Sequence, residues 1–224
     1  MRSSRWHAHG NVYLVAEGGE YELDPGLDGV VQILEVDGDE VEIAIVNPDG
    51  SPAEMSGNGT RIAAAWLMER TGSAAAYVHV GPRVVTVRRA GERLYESDLG
   101  AVEVGPRETV EGIELTPVSV GNPHAVVEGD PEDLPRIGPL LEAHPRFPNR
   151  TNVQVVRVDA PGEVTARVWE RGVGETTASG SSAVAVAAAT HDTGEVLVHF
   201  PGGDLRVRLA AGRATLTGPA ERIV

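Results

Sequence analysis

The stretch Trp169–Ala183, WERGVGETTASGSSA, decides the fold, because it predicts a strand, a glycine turn and a helix in succession. Just before and into it, Val164–Trp169 alternates apolar and polar residues, the period of a half-buried strand. After it, Ala183–Ala189 is apolar on every face, so we expect a helix enclosed by other elements. Ser179–Ser182 fall at the start of that helix, where unpaired N–H groups carry partial positive charge. This turn therefore predicts a binding site for a carboxylate.

A second stretch, Asn47–Arg61, has the same layout ahead of the helical segment Ile62–Met68. Taken alone, its Ser56-Gly57 pair indicates an ordinary capped helix after a glycine turn. The repetition changes that interpretation, since Glu54 and Glu175 each precede a Ser-Gly pair and an alanine-rich helix. Gly10-Asn11 before a strand is likewise repeated by Gly121-Asn122. The sequence therefore predicts two related halves.

Composition excludes several classes of protein. The chain has 224 residues and a net charge of −14, which argues against a nucleic-acid partner because phosphate contacts need basic clusters. No apolar run is as long as a membrane span and the N-terminus lacks the apolar stretch of a signal peptide, so we expect no membrane partner and a cytoplasmic location. His7 and His9 have no further ligand at a suitable spacing, so we expect no metal.

Cysteine is absent from the chain. Disulfides, thiolate metal sites and thiol nucleophiles are therefore excluded.

Further strands are predicted by apolar β-branched runs between turn residues. They are 30–36, 41–46, 77–80, 84–88, 153–158, 196–200 and 205–209, together with a strand within 7–15. Residues 23–29 predict a loop, and Gly105–Glu114 predicts a crossover between the halves.

Several long motifs in this order resemble the diaminopimelate epimerase family, whose members are cofactor-free amino-acid epimerases with a two-domain fold shared with proline racemase. The resemblance covers nearly the whole chain. It rests on His7–Val15, Asn47–Arg61, Val118–His124, Asn149–Val153, Trp169–Thr176 and Leu216–Glu221.

The resemblance implies an α+β fold of two pseudo-symmetric domains, each a curved mixed sheet wrapped around a central helix, with the active site in the inter-domain cleft. The expected domains are 1–108, joined by a C-terminal return of 215–224, and 109–214. It also implies interconversion of L,L- and meso-diaminopimelate, in lysine and peptidoglycan-precursor synthesis. No cofactor or metal is implied, the only expected partner is the amino-acid substrate, and the chain is expected to form a homodimer.

In the family, two cysteines exchange protons with opposite faces of the substrate α-carbon. Ser56 and Ser179 stand at the two matching positions. A thiol titrates near 8.5 and a serine hydroxyl many units higher, so an alkoxide base costs an extra ~6 kcal/mol or more. A helix N-terminus offsets only about 0.3–2 kcal/mol of that cost. A serine here needs a partner to take its proton, and Glu54, Glu175 and the histidines 7, 9 and 124 are the groups nearest in sequence.

The resemblance also assigns substrate-binding residues. The distal amino-acid end would be held by Asn11, Asn47, Asn122, Asn152, Glu170 and Arg171, which offer a forked donor for a carboxylate and acceptors for an ammonium. The carboxylate at the reacting carbon would be held by the backbone N–H groups of Gly57, Asn58, Gly180 and Ser181. Gly29 departs from the family pattern, in which some members carry a substrate-contacting glutamine. Asp49, Ser51, Arg61 and His124 are interpreted as supporting residues.

Three accounts of the serines remain open on the sequence. They are engineered replacements in an inactive epimerase; or they are native, in an enzyme that is slower, uses a helper base or acts on another amino acid; or the chain is a silent amino-acid-binding homologue. An intact polar pocket argues against the last account.

Overall fold

The computed structural model describes residues 2–18, 21–22, 24–53 and 56–223. The chain divides into two compact units, Met1–Asp98 with Thr217–Val224, and Leu99–Leu216. Each unit is built from strands that surround one buried helix. The domain bounds expected from the sequence, 1–108 with 215–224 and 109–214, stay a prediction.

The first unit is a mixed sheet with one helix. Along the chain its elements are β1 (Arg2–Ala8), β2 (Asn11–Glu17), β3 (Gly29–Asp37), β4 (Glu40–Val46), β5 (Pro52–Ala53), α1 (Gly57–Thr71), β6 (Ala75–Val80), β7 (Arg83–Gly91) and β8 (Leu94–Ala101), which runs into the second unit. The pairing is antiparallel for β1–β2, parallel for β2–β3, antiparallel for β3–β4, parallel for β4–β6 and antiparallel for β6–β7.

The second unit follows the same plan. Its elements are β9 (Glu103–Val104), β10 (Glu108–Val110), β11 (Ile113–Ser119), β12 (Pro123–Glu128), a 3-10 turn (Pro131–Asp133), α2 (Leu134–Glu142), β13 (Asn152–Ala160), β14 (Glu163–Glu170), β15 (Gly174–Thr176), α3 (Gly180–Thr190), β16 (Gly194–Phe200), β17 (Gly203–Ala210) and β18 (Arg213–Pro219). The end of β18 and the last strand, β19 (Glu221–Ile223), belong to the first unit, where β19 pairs with β1.

Strand directions repeat between the units. The pairing is antiparallel for β11–β12, parallel for β12–β13, antiparallel for β13–β14, parallel for β14–β16 and antiparallel for β16–β17. The same succession of antiparallel and parallel pairings runs from β1 to β7. In the second unit β15 and α3 take the places of β5 and α1. The predicted α+β fold with two related halves is therefore confirmed, and Ser56 and Ser179 occupy the same position in each half.

Both central helices are enclosed, as the sequence predicts for α3. Residues Ala183–Ala187 are all 0% exposed, and Ile62–Met68 of α1 are at most 5% exposed. A helix that is apolar on every face is stable only when other elements cover it completely. The sheets supply that cover, so each helix N-terminus is held at a fixed place in its unit.

The structure differs from the sequence expectations at one segment and contains two elements beyond them. The segment Gly105–Glu114 is not only a crossover, because it contains β10 and the start of β11. Helix α2 was not expected, since Pro135 and Pro139 interrupt its helical pattern. The strand expected within residues 7–15 is found as β2, which follows a turn at His9-Gly10, and a further strand, β1, precedes that turn.

Candidate functional site

Ser56 is the N-cap of helix α1. Its backbone is extended, and its Oγ accepts a hydrogen bond from the Gly59 N–H at 3.1 Å. The same Oγ lies 3.0 Å from the phenol oxygen of Tyr13 on β2, within hydrogen-bonding distance. The Ser56 hydroxyl is therefore held in a fixed position by a backbone amide and a phenol.

The first turn of α1 contains Gly57 and Asn58. Its early backbone N–H groups have no partner within the helix, as at every helix start. The Asn58 side chain is 5% exposed, and its Oδ1 accepts from Arg61 Nη2 at 2.6 Å. Asn58 therefore contributes a backbone N–H to this end of the helix, while its side chain serves Arg61.

Asn11 and Asn47 lie elsewhere in the first unit. Asn11 begins β2 and is 8% exposed. Asn47 follows β4, and its Nδ2 donates to Ser51 Oγ at 3.0 Å. The Asp49 carboxylate accepts from the Ser51 N–H at 2.9 Å, so Asp49 and Ser51 fix a tight loop, as expected of supporting residues. Asn47, predicted to bind the substrate, contacts Ser51 in the same loop. Glu54 lies outside the described residues.

Ser179 is the N-cap of helix α3 and stands beside Glu170. Its hydroxyl makes no capping hydrogen bond to the helix and lies near the Glu170 carboxyl, whose charged form it favours. That carboxyl also accepts from Thr176 Oγ1 at 2.6 Å. Burial raises the pKa of Glu170, and the hydrogen bonds from Thr176 and Ser179 only partly offset this. Glu170 keeps some exposed surface as a residue, but its carboxyl is shielded from water.

Three more predicted residues come together around the turn that follows β14. The Asn152 side chain donates from Nδ2 to the Pro123 carbonyl at 2.9 Å and accepts at Oδ1 from the Arg171 N–H at 3.0 Å. Asn122 Nδ2 lies 3.5 Å from Ser181 Oγ in the first turn of α3. The second unit therefore gathers Asn122, Asn152, Glu170, Arg171, Ser179, Gly180 and Ser181 in one region.

A cavity of about 600 Å³ opens beside this region within the second unit. Asn122, His124 and Arg171 line it, together with Arg146 and the apolar wall of Phe147. Cavities of this size suit a small ligand, and the guanidinium groups suit a carboxylate.

A buried polar network behind Asn122 could not be identified from the sequence. His124 is 1% exposed, its Nε2 lies 3.0 Å from Asn122 Oδ1, and its Nδ1 lies 3.0 Å from Gln154 Nε2. Gln154 Nε2 also donates to Ser182 Oγ at 2.9 Å. An amide nitrogen can only donate, so His124 Nδ1 is the acceptor and Nε2–H donates to Asn122. Asn122 then turns its own NH₂ toward α3.

Glu142 at the end of α2 supports the turn that carries Arg171. No sequence pattern indicated this role of Glu142 or the helix that carries it. Its carboxylate accepts from the Gly172 N–H at 2.6 Å and from Trp169 Nε1 at 2.9 Å. It also pairs with Arg150 Nη2 at 2.7 Å. The side chain is only 8% exposed, so these contacts replace its lost hydration.

The described ranges contain neither a metal-binding cluster nor a membrane-spanning helix. Within residues 2–18, 21–22, 24–53 and 56–223, no group of three or more histidine, aspartate or glutamate side chains is arranged to hold a metal ion. In that same part of the chain, no helix has the length and hydropathy required to span a membrane.

Comparison with known proteins identifies similar chains. The family model described as diaminopimelate epimerase matches residues 11–105 and 116–223. The diaminopimelate epimerase of Desulforudis audaxviator (strain MP104C) is 36% identical, with 100% of this chain and 97% of the relative covered. That of Pelotomaculum thermopropionicum (strain DSM 13744 / JCM 10971 / SI) is 37% identical over the same shares.

Solved structures show the same fold at lower identity. A predicted epimerase from Pseudomonas aeruginosa superimposes with a TM-score of 0.73 at 20% identity, covering 100% of this chain and 97% of the other. A hydroxyproline epimerase from Agrobacterium vitis gives 0.72 at 16% identity, covering 99% and 88%.

Proposed function

The chain belongs to the diaminopimelate epimerase family, and we propose that it interconverts the L,L and meso forms of diaminopimelate. The reaction moves the proton at one α-carbon and belongs to lysine and peptidoglycan-precursor synthesis. One observation carries the proposal: Ser56 and Ser179 stand at equivalent positions of a repeated topology, each as the N-cap of a buried helix. In the proposed mechanism these two hydroxyls are the acid–base groups.

The helix starts supply the electrostatics of the proposed reaction. Removing an α-proton places negative charge on the carbon and its carboxylate. First-turn N–H groups at Gly57, Asn58, Gly180 and Ser181 are donors suited to that charge, since a helix N-terminus favours anions. Donors fixed before the reaction stabilise the developing charge without having to reorganise.

Glu170 supports a role for Ser179 as an acid. A carboxyl with a raised pKa keeps its proton to higher pH than an ordinary glutamate, and this one lies beside the Ser179 hydroxyl. In the protonation step, Ser179 gives its hydroxyl proton to the carbanion and the Glu170 carboxyl returns a proton to Ser179. In the opposite direction both transfers reverse, so no free alkoxide is formed.

Asn122, Asn152 and Arg171 are proposed to bind the second amino-acid end of diaminopimelate. Arg171 and the NH₂ of Asn122 are donors suited to a carboxylate. Their position on the lining of the cavity supports this assignment for Arg171 and Asn122. Asn152 holds the backbone of Arg171, so its loss should weaken binding through Arg171.

The test is α-proton exchange of L,L- and meso-diaminopimelate in deuterated water, followed by NMR. It compares this chain with the double variant Ser56→Cys, Ser179→Cys. Exchange by the unmodified chain supports serine chemistry, and single Ser→Ala changes then assign each hydroxyl to one face. Exchange only by the double variant means that the pocket is that of an epimerase without a working acid–base pair. Silence of both rules out diaminopimelate as substrate and favours an amino-acid-binding role.

A cytoplasmic location and a homodimer stay predictions. Light scattering after size-exclusion chromatography tests the second.

A further inference from the structure

The hydroxyl of Ser56 has a second hydroxyl as its neighbour. Tyr13 Oη lies 3.0 Å from Ser56 Oγ, although 43 positions separate the two residues in the chain. Tyr13 is 8% exposed, so bulk water has little access to its ring. The Gly59 N–H donates to Ser56 Oγ, and either of the two hydroxyls can be the donor in the contact between Ser56 and Tyr13. The pair has the geometry of a proton relay.

Acidity explains why a phenol is a useful neighbour here. An unperturbed phenol titrates near pH ~10, well below an aliphatic hydroxyl, so it gives up its proton far more readily than Ser56 does. Nucleophilic and basic serines work where an adjacent base takes their proton. The phenol of Tyr13 contacts the Ser56 hydroxyl. The first unit therefore contains a group that can take the proton of this serine.

A buried cation favours the charged form of that phenol. Arg61 is 0% exposed, and among the described residues no carboxylate forms an ion pair with it. Its hydrogen bonds go to Asn58 Oδ1 and, at 3.3 Å, to the Pro219 carbonyl. Its Nη1 is buried and bonds to none of the residues that the structure describes. Such a charge is stabilised by any anion that forms nearby.

Arg61 and Tyr13 interact through their charges. Burial lowers the pKa of Arg61 to about 10, and a charge on Tyr13 opposes this decrease. The interaction is mutual, so the guanidinium favours a phenolate on Tyr13 as much as the phenolate favours the guanidinium.

The repeated topology supports a functional role for this position. Tyr13 lies two residues after Asn11, just as His124 lies two residues after Asn122, and β2 and β12 are equivalent strands. In both units the ring at this position belongs to a polar network that reaches the start of the central helix.

We propose that Tyr13 exchanges a proton with Ser56 and thereby makes Ser56 the acid–base group at the start of α1. This inference rests on the proposed epimerase function. When Ser56 acts as a base, its Oγ takes the α-proton while its own hydroxyl proton passes to the Tyr13 phenolate. The products are a substrate carbanion, a neutral serine and a neutral tyrosine. When Ser56 acts as an acid, each transfer reverses.

The first test compares Tyr13→Phe with Tyr95→Phe. Tyr95 is a matched control because it is a tyrosine of the same unit and is 2% exposed. We expect Tyr13→Phe to lower diaminopimelate α-proton exchange by about 10²–10⁴-fold, the usual contribution of a general acid or base. Tyr95→Phe should leave the rate near that of the parent chain. Equal rates for Tyr13→Phe and the parent would overturn the relay while leaving the epimerase function intact.

A rescue experiment separates proton transfer from structural support. A thiol at position 56 ionises near pH 8.5 and needs no phenol to take its proton. We therefore expect Tyr13→Phe to change the rate little when it is combined with Ser56→Cys. A loss as large as in the serine background would mean that Tyr13 only supports the structure, which would overturn the relay.

Acidity itself can also be changed without changing shape. Replacing Tyr13 with 3,5-difluorotyrosine makes the phenol more acidic and should move the rising limb of the exchange rate to lower pH. An unmoved limb would contradict proton transfer through this ring.

A different outcome would count against the proposed function rather than the relay. If the parent chain exchanges neither isomer, the epimerase function of the serine form fails. The relay is then judged by ¹³C NMR of the Tyr13 Cζ atom in the unliganded chain. If the titration curve of Tyr13 changes in the Ser56→Ala variant, a proton shared between the two hydroxyls is supported. If the curve is unchanged, the relay is overturned.

Discussion

Gly29 pairs with Tyr13 across the parallel strands β2 and β3, and no side chain fits between them. A Cβ on Gly29 would lie 2.7 Å from Tyr13 Cε1 and 3.0 Å from the carbonyl oxygen of Val46. Carbon atoms do not approach so closely without a shift of one group. The glycine that departs from the family pattern is therefore the residue that makes room for the Tyr13 ring beside Ser56.

We expect Gly29→Ala to destabilise the fold by about 1–3 kcal/mol, the usual cost of overpacking. It should also lower diaminopimelate exchange, because the displaced ring loses its contact with Ser56. Urea unfolding and the NMR exchange assay measure the two effects. Gly26→Ala is the control, since its added Cβ would meet only Asp24 Oδ1, at 3.7 Å. Equal stability of the two variants would contradict the close packing.

The two N-cap serines should differ in their effect on stability. Ser56 caps α1 through its side chain, whereas Ser179 makes no capping hydrogen bond to α3. Replacing a capping serine with alanine typically costs about 0.5–2 kcal/mol. We therefore expect Ser56→Ala to weaken its helix by that amount, while the cost of Ser179→Ala arises from the contact with Glu170. We expect Ser179→Ala to cost less stability when Glu170→Gln is already present. A double-mutant cycle of unfolding free energies measures this difference.

His124 should remain neutral in acid. Burial lowers its pKa to about 3, Gln154 opposes this decrease and the nearby charge of Arg171 adds to it. Because the unfolded chain binds a proton near pH 6.5, this residue makes stability decline as the pH falls from about 6.5 towards 3. We expect ¹⁵N NMR to show an Nε2–H tautomer of His124 that does not titrate between about pH 8 and 5. The partly exposed His199, whose pKa is raised by Asp204 and Glu163, should titrate in the same spectra.

Gln154→Glu tests the direction of the His124 network. A carboxylate at that position accepts from Nδ1–H, which would turn the ring to the other tautomer or make it an imidazolium. With the other tautomer, Nε2 becomes an acceptor, so the Asn122 amide would have to turn its NH₂ to the ring and present its oxygen to the ligand. We expect the ¹⁵N shifts of His124 to change and KM for diaminopimelate to rise. Unchanged shifts would mean that Gln154 does not set the tautomer.

Glu142 should make the second unit sensitive to acid. Burial alone would raise its pKa, but hydrogen bonds from Gly172 and Trp169 and the charge of Arg150 outweigh this and lower the pKa below 4.5. Its stabilising contribution is therefore present above that value and is lost as the pH falls through the folded pKa.

The variant Glu142→Gln should lose about 1.5–3 kcal/mol of stability at neutral pH and less in acid, since its hydrogen bonds to a charged group are gone. Denaturant unfolding at several pH values measures this difference. The matched control is Glu195→Gln, whose parent side chain is 61% exposed and pairs only loosely with Arg206. A similar loss for both variants would contradict the proposed bracing role.

Sequence patterns predicted the parts of the fold that depend on residues close together in the chain. The turn and helix at Trp169–Ala183 are found as predicted, because the apolar helix and the glycine turn are encoded within fifteen consecutive residues. Helix α2 was missed since proline and glycine hide its pattern. Gly138 in that helix is explained only by a distant residue: a Cβ there would lie 2.8 Å from Trp169 Cγ.

The candidate site was likewise predictable only where the signal lies within one short motif. Motif order indicated Ser56, Ser179 and the polar residues around Arg171. Histidines and acids are the helper groups nearest to the serines in sequence, whereas the structure puts the phenol of Tyr13 against Ser56. The contacts of Gln154 with His124 and Ser182 span about 30 residues of sequence and depend on the register of β12 with β13. Only the folded sheet brings such residues together.

Hydroxyls at the two helix starts also determine how the chain responds to oxidants. Thiolates are oxidised stepwise to sulfenic, sulfinic and sulfonic acids, and low-pKa, exposed thiolates react first. This chain has no sulfur at Ser56 or Ser179 and no cysteine elsewhere. Peroxide and alkylating reagents therefore have no thiol to modify, so the proposed acid–base groups would be the same in oxidising and reducing surroundings. A double Ser→Cys variant would gain acidity at these positions and acquire this chemical vulnerability at the same time.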